Sequence, residues 1–264
     1  MERLDLTGHD LPVDESVIAE LVTRAMRVGL DILVIGAAAR DLVIHSVVEQ
    51  KMPRVTLDVD VAVAVGGHGD LESFVAGLRH SPIGTHTYAV HGVPVDVVPF
   101  GAIEHERHVS FSDEHELDVT GIAEALQTSV EVTLPAGTRV KVASLPAQAV
   151  LKVLAWRDRR FDSTKDARDL QTILAASSVG PYGDEAWEDK MALEATDYDI
   201  ILAGPCCAGR LAAGPFDDRS AARVLAVLDD VSAHARLARD MDSPSSSDML
   251  RAFTRGFRTG VTGG

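Results

Sequence analysis

Cysteine is nearly absent. The 264 residues contain two, Cys206 and Cys207, and they are neighbours. Adjacent cysteines bridge each other only with strain, so no disulfide framework is expected, and both read as small buried residues within AGPCCAGRLAAG. Long apolar runs are missing as well: stretches such as VDVVPFGAI stop well short of the roughly 20 residues that a membrane span needs. The first residues, MERLDLTGHDLPVDE, are acidic and lack the basic-then-apolar order of a signal peptide, so a cytoplasmic protein without a membrane partner is expected. Positive charge is scarce: 25 Lys and Arg stand against 40 Asp and Glu, a formal charge of −15. That disfavours a broad phosphate-binding surface, so a nucleic-acid partner has to be argued from a local site. No internal repeat is present, and low complexity is confined to SPSSS at 243–247 and the glycine-rich last residues.

What remains is ordinary for a globular chain, 46% hydrophobic and 25% charged residues, long enough to bury a substantial core. The spacing of Val17, Ile18, Leu21, Val22, Ala25 and Met26 predicts a helix over 14–28, with Asp14 as its cap and Gly29 as its stop. DILVIG predicts a short buried strand ending at Gly36, and AAARDLVIHSVVEQ a helix. DLESFVAGLRH reads as a helix opened by Asp70. THTYAV, the turn HG and VPVDVVPF predict a β-hairpin, with Pro94 suggesting an edge position or a bulge. Residues 102–128 read as loop and short helix, and VEVTL, PAGT and RVKVA as a second hairpin. Helices are then expected at 146–158, 164–175, roughly 184–194, roughly 219–238 and 248–257. The expected fold is α/β (α+β), a mixed-sheet lobe over 1–143 followed by a helical lobe over 144–264.

The chemistry concentrates in RVTLDVDVAVAV at 54–65. Its alternation is that of a half-buried strand, yet one face carries Asp58 and Asp60 followed by Ala62 and Ala64. Residues i and i+2 of a strand point the same way about 6.5–7 Å apart, so two carboxylates can reach one divalent ion. The alanines would leave room beside them, as the floor of a cleft. Asp96 repeats the pattern in VPVDVVPF, opposite Val93, Val95 and Val97. Three carboxylates on neighbouring strands suit hard ions such as Mg²⁺, which keep places for water and phosphate, and they allow a two-metal site. Gly36, between strand and helix, lets the backbone approach a phosphate at a helix N-terminus. The histidines and glutamates of EHERH lack metalloprotease spacing and read as a solvated acidic loop.

The order GAAARD, TLDVD, VDVVPFG, LPAQAVLKVLAWRDR, KDARDL resembles the nucleotidyltransferase superfamily related to DNA polymerase β. It is most similar to bacterial predicted nucleotidyltransferases akin to abortive-infection type toxins. The resemblance covers roughly residues 30–175. It implies a nucleotidyltransferase-type sheet lobe and an enzyme that moves an NMP from an NTP to an acceptor hydroxyl. It implies Asp58 and Asp60 as the metal pair and Asp96 as the third ligand or base, with two Mg²⁺ ions, or Mn²⁺ in their place. Lys152 would contact the triphosphate, Gly36 and Ala37 would cradle phosphate, and Asp166 or Asp169 would orient the nucleotide. Lys165 and Arg40 would be further phosphate contacts. The Ser hydroxyl that often follows the family's glycine is replaced here by Ala37, which leaves a backbone contact only. Implied acceptors are an RNA or tRNA end, a protein or a small molecule, and an antitoxin partner accompanies some relatives. The alternative is a non-catalytic nucleotide-binding or interaction module that retains the fold.

Overall fold

The computed structural model describes residues 3–11, 13–48, 58–82, 84–112 and 115–263, without the side chains of Ser112 and His115. The chain divides into two compact units, one ending at Ser144 and one beginning at Leu145.

The first unit holds β1 (Arg3–Asp5), α1 (Glu15–Val28), β2 (Ile32–Ile35), α2 (Gly36–Arg40), α3 (Ser46–Val48), β3 (Val59–Val65) and α4 (His68–Val75). It continues with β4 (Arg79–His80), β5 (Thr87–Val90), β6 (Val93–Gly101), β7 (His108–Ser112), β8 (His115–Asp118), α5 (Ile122–Gln127), β9 (Val130–Thr133) and β10 (Arg139–Val142). Eight strands form one mixed sheet in the order β1-β9-β10-β2-β3-β6-β5-β4. β3 runs antiparallel to β2 and parallel to β6.

The local reasons are those of the sequence. Asp14 accepts the Ser16 N–H and Gly29 closes α1 at φ 70°, the left-handed stop that glycine supplies at least cost. The HG turn places His91 at φ 51° and Gly92 at φ 86°, the backbone of a type I′ hairpin. α2, a π-helical turn over Asp41–His45, and α3 follow β2 without a break. Residues 49–57, which include the start of the expected 54–65 strand and the end of the expected helix, lie outside the described residues.

Four expectations are corrected in this unit. Pro94 sits on β6, an interior strand, rather than at an edge. It pairs only with Ala89 of β5, because the β3 register begins one residue later at Val59↔Val95, so its missing N–H leaves no β3 partner unmet. α4 begins at His68 behind Gly67, while Asp70 accepts the Gly66 N–H at 2.7 Å. It ends at Val75, and Arg79 and His80 form β4 instead. Residues 108–118, expected as loop, contain the β7–β8 ribbon.

The second unit is helical: α6 (Leu145–Arg159), α7 (Lys165–Ala176), α8 (Gly180–Glu188), α9 (Lys190–Ala195), α10 (Ile200–Ala213), α11 (Asp218–Leu228), α12 (Val231–Asp240) and α13 (Ser246–Thr262). Two expected helices are split. Asp189 separates α8 from α9, capping α9 through the Ala192 N–H. Asp230 does the same for α12 through Ala233. α10 lies where no helix was expected, in a stretch that contains Gly204, Pro205 and Gly209. Its reason is α13: a Cβ on Gly209 would strike the Phe253 carbonyl, and one on Gly256 the Cys206 carbonyl. The two helices pack backbone to backbone, which only glycine permits. Phe253 and Phe257 are fully buried, so in RAFTRGFR the phenylalanines form the inner face of a packed helix and Arg251, Arg255 and Arg258 its exposed face.

Candidate active site

β2, β3, β6 and β5 lie side by side, and register places Ile35 against Asp60, Asp60 against Asp96, and Asp96 against Thr87. Register partners in a sheet share a face, with neighbouring strands about 4.8 Å apart. One row across four strands therefore carries two carboxylates. The Thr87 hydroxyl donates to Asp96 Oδ1 at 2.5 Å. Thr87 is buried, while Asp60 and Asp96 are half-buried.

Gly36 follows Ile35 immediately and turns the chain at φ 67° into the helix. The Asp60 carboxylate lies where a Cβ on residue 36 would project. Two separate demands thus require glycine: the left-handed backbone and the closeness of Asp60. The helix N-terminus that begins there favours negative charge. Asp58 lies one residue before β3 and is half-buried. Ala62 is fully buried and α2 packs on β3. Position 62 is therefore covered rather than open as the floor of a cleft, while Ala64 is half-buried.

Ala37 is buried at the helix start. Arg40 is 6% exposed, and its Nη2 lies 3.1 Å from Asp41 Oδ1, a carboxylate with no exposure. The guanidinium is held inside the fold. His45 faces the same Asp41 oxygen at 3.8 Å.

The remaining sequence candidates belong to the helical unit. Lys152 Nζ meets Asp166 Oδ1 at 3.0 Å and Asp169 Oδ2 at 2.7 Å, tying α6 to α7. Arg159 adds Nη2 to Asp166 Oδ2 at 2.9 Å. The Lys152 side chain is 12% exposed and those of Asp166 and Asp169 4% and 9%. Burial pushes the Lys152 ammonium down, but the Asp169 and Asp166 carboxylates outweigh it and hold its pKa above the usual lysine value. Two cations and two carboxylates balance, as buried charges must. Lys165 is exposed. Arg159 is the member the sequence reading missed; its place six residues before KDARDL was the available signal.

Hard carboxylate oxygens from Asp60 and Asp96, half open to solvent beside a helix N-terminus, fit a divalent ion that keeps water and phosphate ligands. Among the described residues, no three His, Cys, Asp or Glu side chains converge closely enough to enclose an ion by themselves, and no helix is long and apolar enough to cross a membrane. Comparison with protein-family models, curated proteins and solved structures gives no match.

Proposed function

We propose that the protein is a nucleotidyltransferase that moves an NMP from an NTP to an acceptor hydroxyl and releases pyrophosphate. The observation that carries this is the pair Asp60–Asp96, two carboxylates in register, with the glycine-opened helix start at Gly36 against one of them. Mg²⁺ held by Asp60 and Asp96 would supply charge neutralisation at the phosphates and lower the pKa of the acceptor hydroxyl, and Asp58 as a further ligand follows from the resemblance alone. The chain's own groups position the reactants. A phosphate at the Gly36–Ala37 backbone would share that helix start with the Asp60 carboxylate, which occupies the space over Gly36, and Asp96, oriented by Thr87, accepts the acceptor's proton. Positioning and electrostatics are most of what phosphoryl transfer asks of a protein.

Nucleotide contacts from Lys152, Lys165, Asp166 and Asp169 rest on the resemblance alone. The ion pairs of Lys152 mean that a phosphate would have to displace a carboxylate to reach it. Arg159 is paired with Asp166 as well, whereas the exposed Lys165 offers a cation that needs no such exchange. An RNA or protein acceptor and an antitoxin partner follow from the resemblance in the same way.

The test is label transfer from each α-labelled NTP to total RNA or to a protein extract with Mg²⁺, beside Asp58→Ala, Asp60→Ala and Asp96→Ala variants. Label in one acceptor class, lost in all three variants, is the expected result. Binding of Mg²⁺ and NTP without transfer to any acceptor would favour the non-catalytic module instead.

A further inference from the structure

Eight large hydrophobic side chains stand exposed among the described residues, and five of them fall within 23 positions: Val179, Trp187, Met191, Tyr198 and Ile201, each 42% to 66% exposed. Scattered exposed apolar residues are normal, but a concentration of this kind marks an interaction site. The stretch comprises α8, α9 and the start of α10, which pack on one another. Tyr182, Ala186, Ala192 and Leu193 fill the inside of this corner, and the five face outward. The Ser178 hydroxyl donates to the Ile201 carbonyl at 2.8 Å, which brings Val179 to the start of α10. Tyr198 is set outward by two successive left-handed residues that are not glycine, Asp197 at φ 52° and Tyr198 at φ 61°. The Tyr198 N–H donates to the Leu193 carbonyl at 2.8 Å and holds that turn. Strain spent to keep an aromatic ring in water points to a contact the ring makes elsewhere.

The surroundings say what kind of contact. Asp184, Glu185, Glu188, Glu194, Asp197 and Asp199 are exposed in the same stretch, and Lys190 is its only cation. A second copy would set two such acidic rims face to face, each on a chain of −15. Nucleic acid and anionic lipid would be repelled for the same reason. A partner segment with apolar anchors and a Lys- or Arg-rich edge matches both features. We propose that the 179–201 corner is a docking surface for a cationic amphipathic helix of a partner protein. This is independent of the nucleotidyltransferase reading.

The chain carries its own reporter, because Trp156 is fully buried whereas Trp187 is 58% exposed. The probe is a synthetic Leu/Lys helix of about eighteen residues, five turns with leucine on one face. A scrambled peptide of the same composition, with no apolar face, serves as control. Titrated into the full chain, the amphipathic peptide should shift Trp187 emission to the blue and bind at least about tenfold more tightly than the scrambled one. A Met191→Ser/Tyr198→Ser variant with unchanged melting temperature should lose about tenfold in affinity, and Glu188→Lys/Glu194→Lys should weaken binding most at low salt. Equal binding of both peptides, or binding indifferent to the Met191/Tyr198 change, would reduce the effect to general charge attraction and overturn the proposal. Concentration-dependent dimerisation that buries Trp187 would overturn it in favour of a second copy.

Discussion

Asp60 occupies with its carboxylate the space into which a side chain on residue 36 would project, so Gly36 and Asp60 constrain each other across β2 and β3. Gly36→Ala would meet both that carboxylate and a backbone at φ 67°. The expected cost is about 1–3 kcal/mol of stability, read from chemical denaturation. Transfer activity should fall by roughly 10²-fold, because a displacement of about 1 Å at the reacting groups is enough for that. Adding Asp60→Gly to Gly36→Ala should recover part of the stability and none of the activity. Simple additivity of the two changes in stability would show that they are not in contact.

Thr87 and Asp96 are bound more simply, by one hydroxyl donor at 2.5 Å. Thr87→Val keeps the shape and removes the donor. A hydrogen bond to a charged group contributes about 1.5–3 kcal/mol when buried, and Asp96 is half-buried, so water should replace part of it and the stability loss should lie at the lower end. If Asp96 takes the acceptor's proton, the variant should lower kcat with little change in KM for NTP, and Thr87→Ser, which restores the hydroxyl, should recover kcat. An unchanged kcat in Thr87→Val would remove Thr87 from the positioning of that carboxylate.

The carboxylate row was legible because strand period and residue type are both written locally: Asp60 and Asp96 each alternate with valines, whereas Asp58, expected on the same strand face, lies one residue before β3. The hairpin was legible for the same reason, its HG turn lying between two alternating runs. What joins Gly36 to Asp60 was not, since it is a tertiary contact between residues twenty-four apart. The reading of Ala62 failed similarly: a small residue leaves space, and only the fold shows that the position is fully buried. α10 was hidden because Gly204, Pro205 and Gly209 are breakers by local propensity, and α13, packed against its backbone, overrides that propensity. Lys152, Asp166 and Asp169 were picked out singly, as contacts to a nucleotide. That these three are buried against one another, with the exposed Arg159 paired to Asp166 from outside, follows from burial, which no local pattern reports.

Lys152 gives a prediction with a definite sign. Its pKa is raised in the folded state by Asp169 and Asp166 against the effect of burial. The stabilisation is therefore complete below the unfolded lysine value of 10.5 and is lost as pH climbs through the higher folded value. Equilibrium unfolding between pH 8 and 12 should show a decline in the alkaline range that Lys152→Met lacks. At neutral pH that variant leaves buried carboxylates short of a partner and should cost about 3–5 kcal/mol. The triple change Lys152→Met/Asp166→Asn/Asp169→Asn should cost less than the single one. A triple variant as unstable as the sum of its parts would mean that the pairs are not coupled.

Ser178 supports α10 at the point where its own ladder is broken. Pro205 has no N–H to give to the carbonyl of Ile201, four residues earlier, and the Ser178 hydroxyl bonds to that carbonyl at 2.8 Å instead. Ser178→Ala should cost about 0.5–1.5 kcal/mol, the usual net worth of one such bond. The informative experiment is the second substitution. Pro205→Ala restores a backbone donor to the same carbonyl, so Ser178→Ala should cost less in a Pro205→Ala background than in the native chain. An equal cost in both backgrounds would show that Ser178 acts through its packing against Gly204, where its hydroxyl fills the space a Cβ would need, rather than by replacing the bond that proline removes.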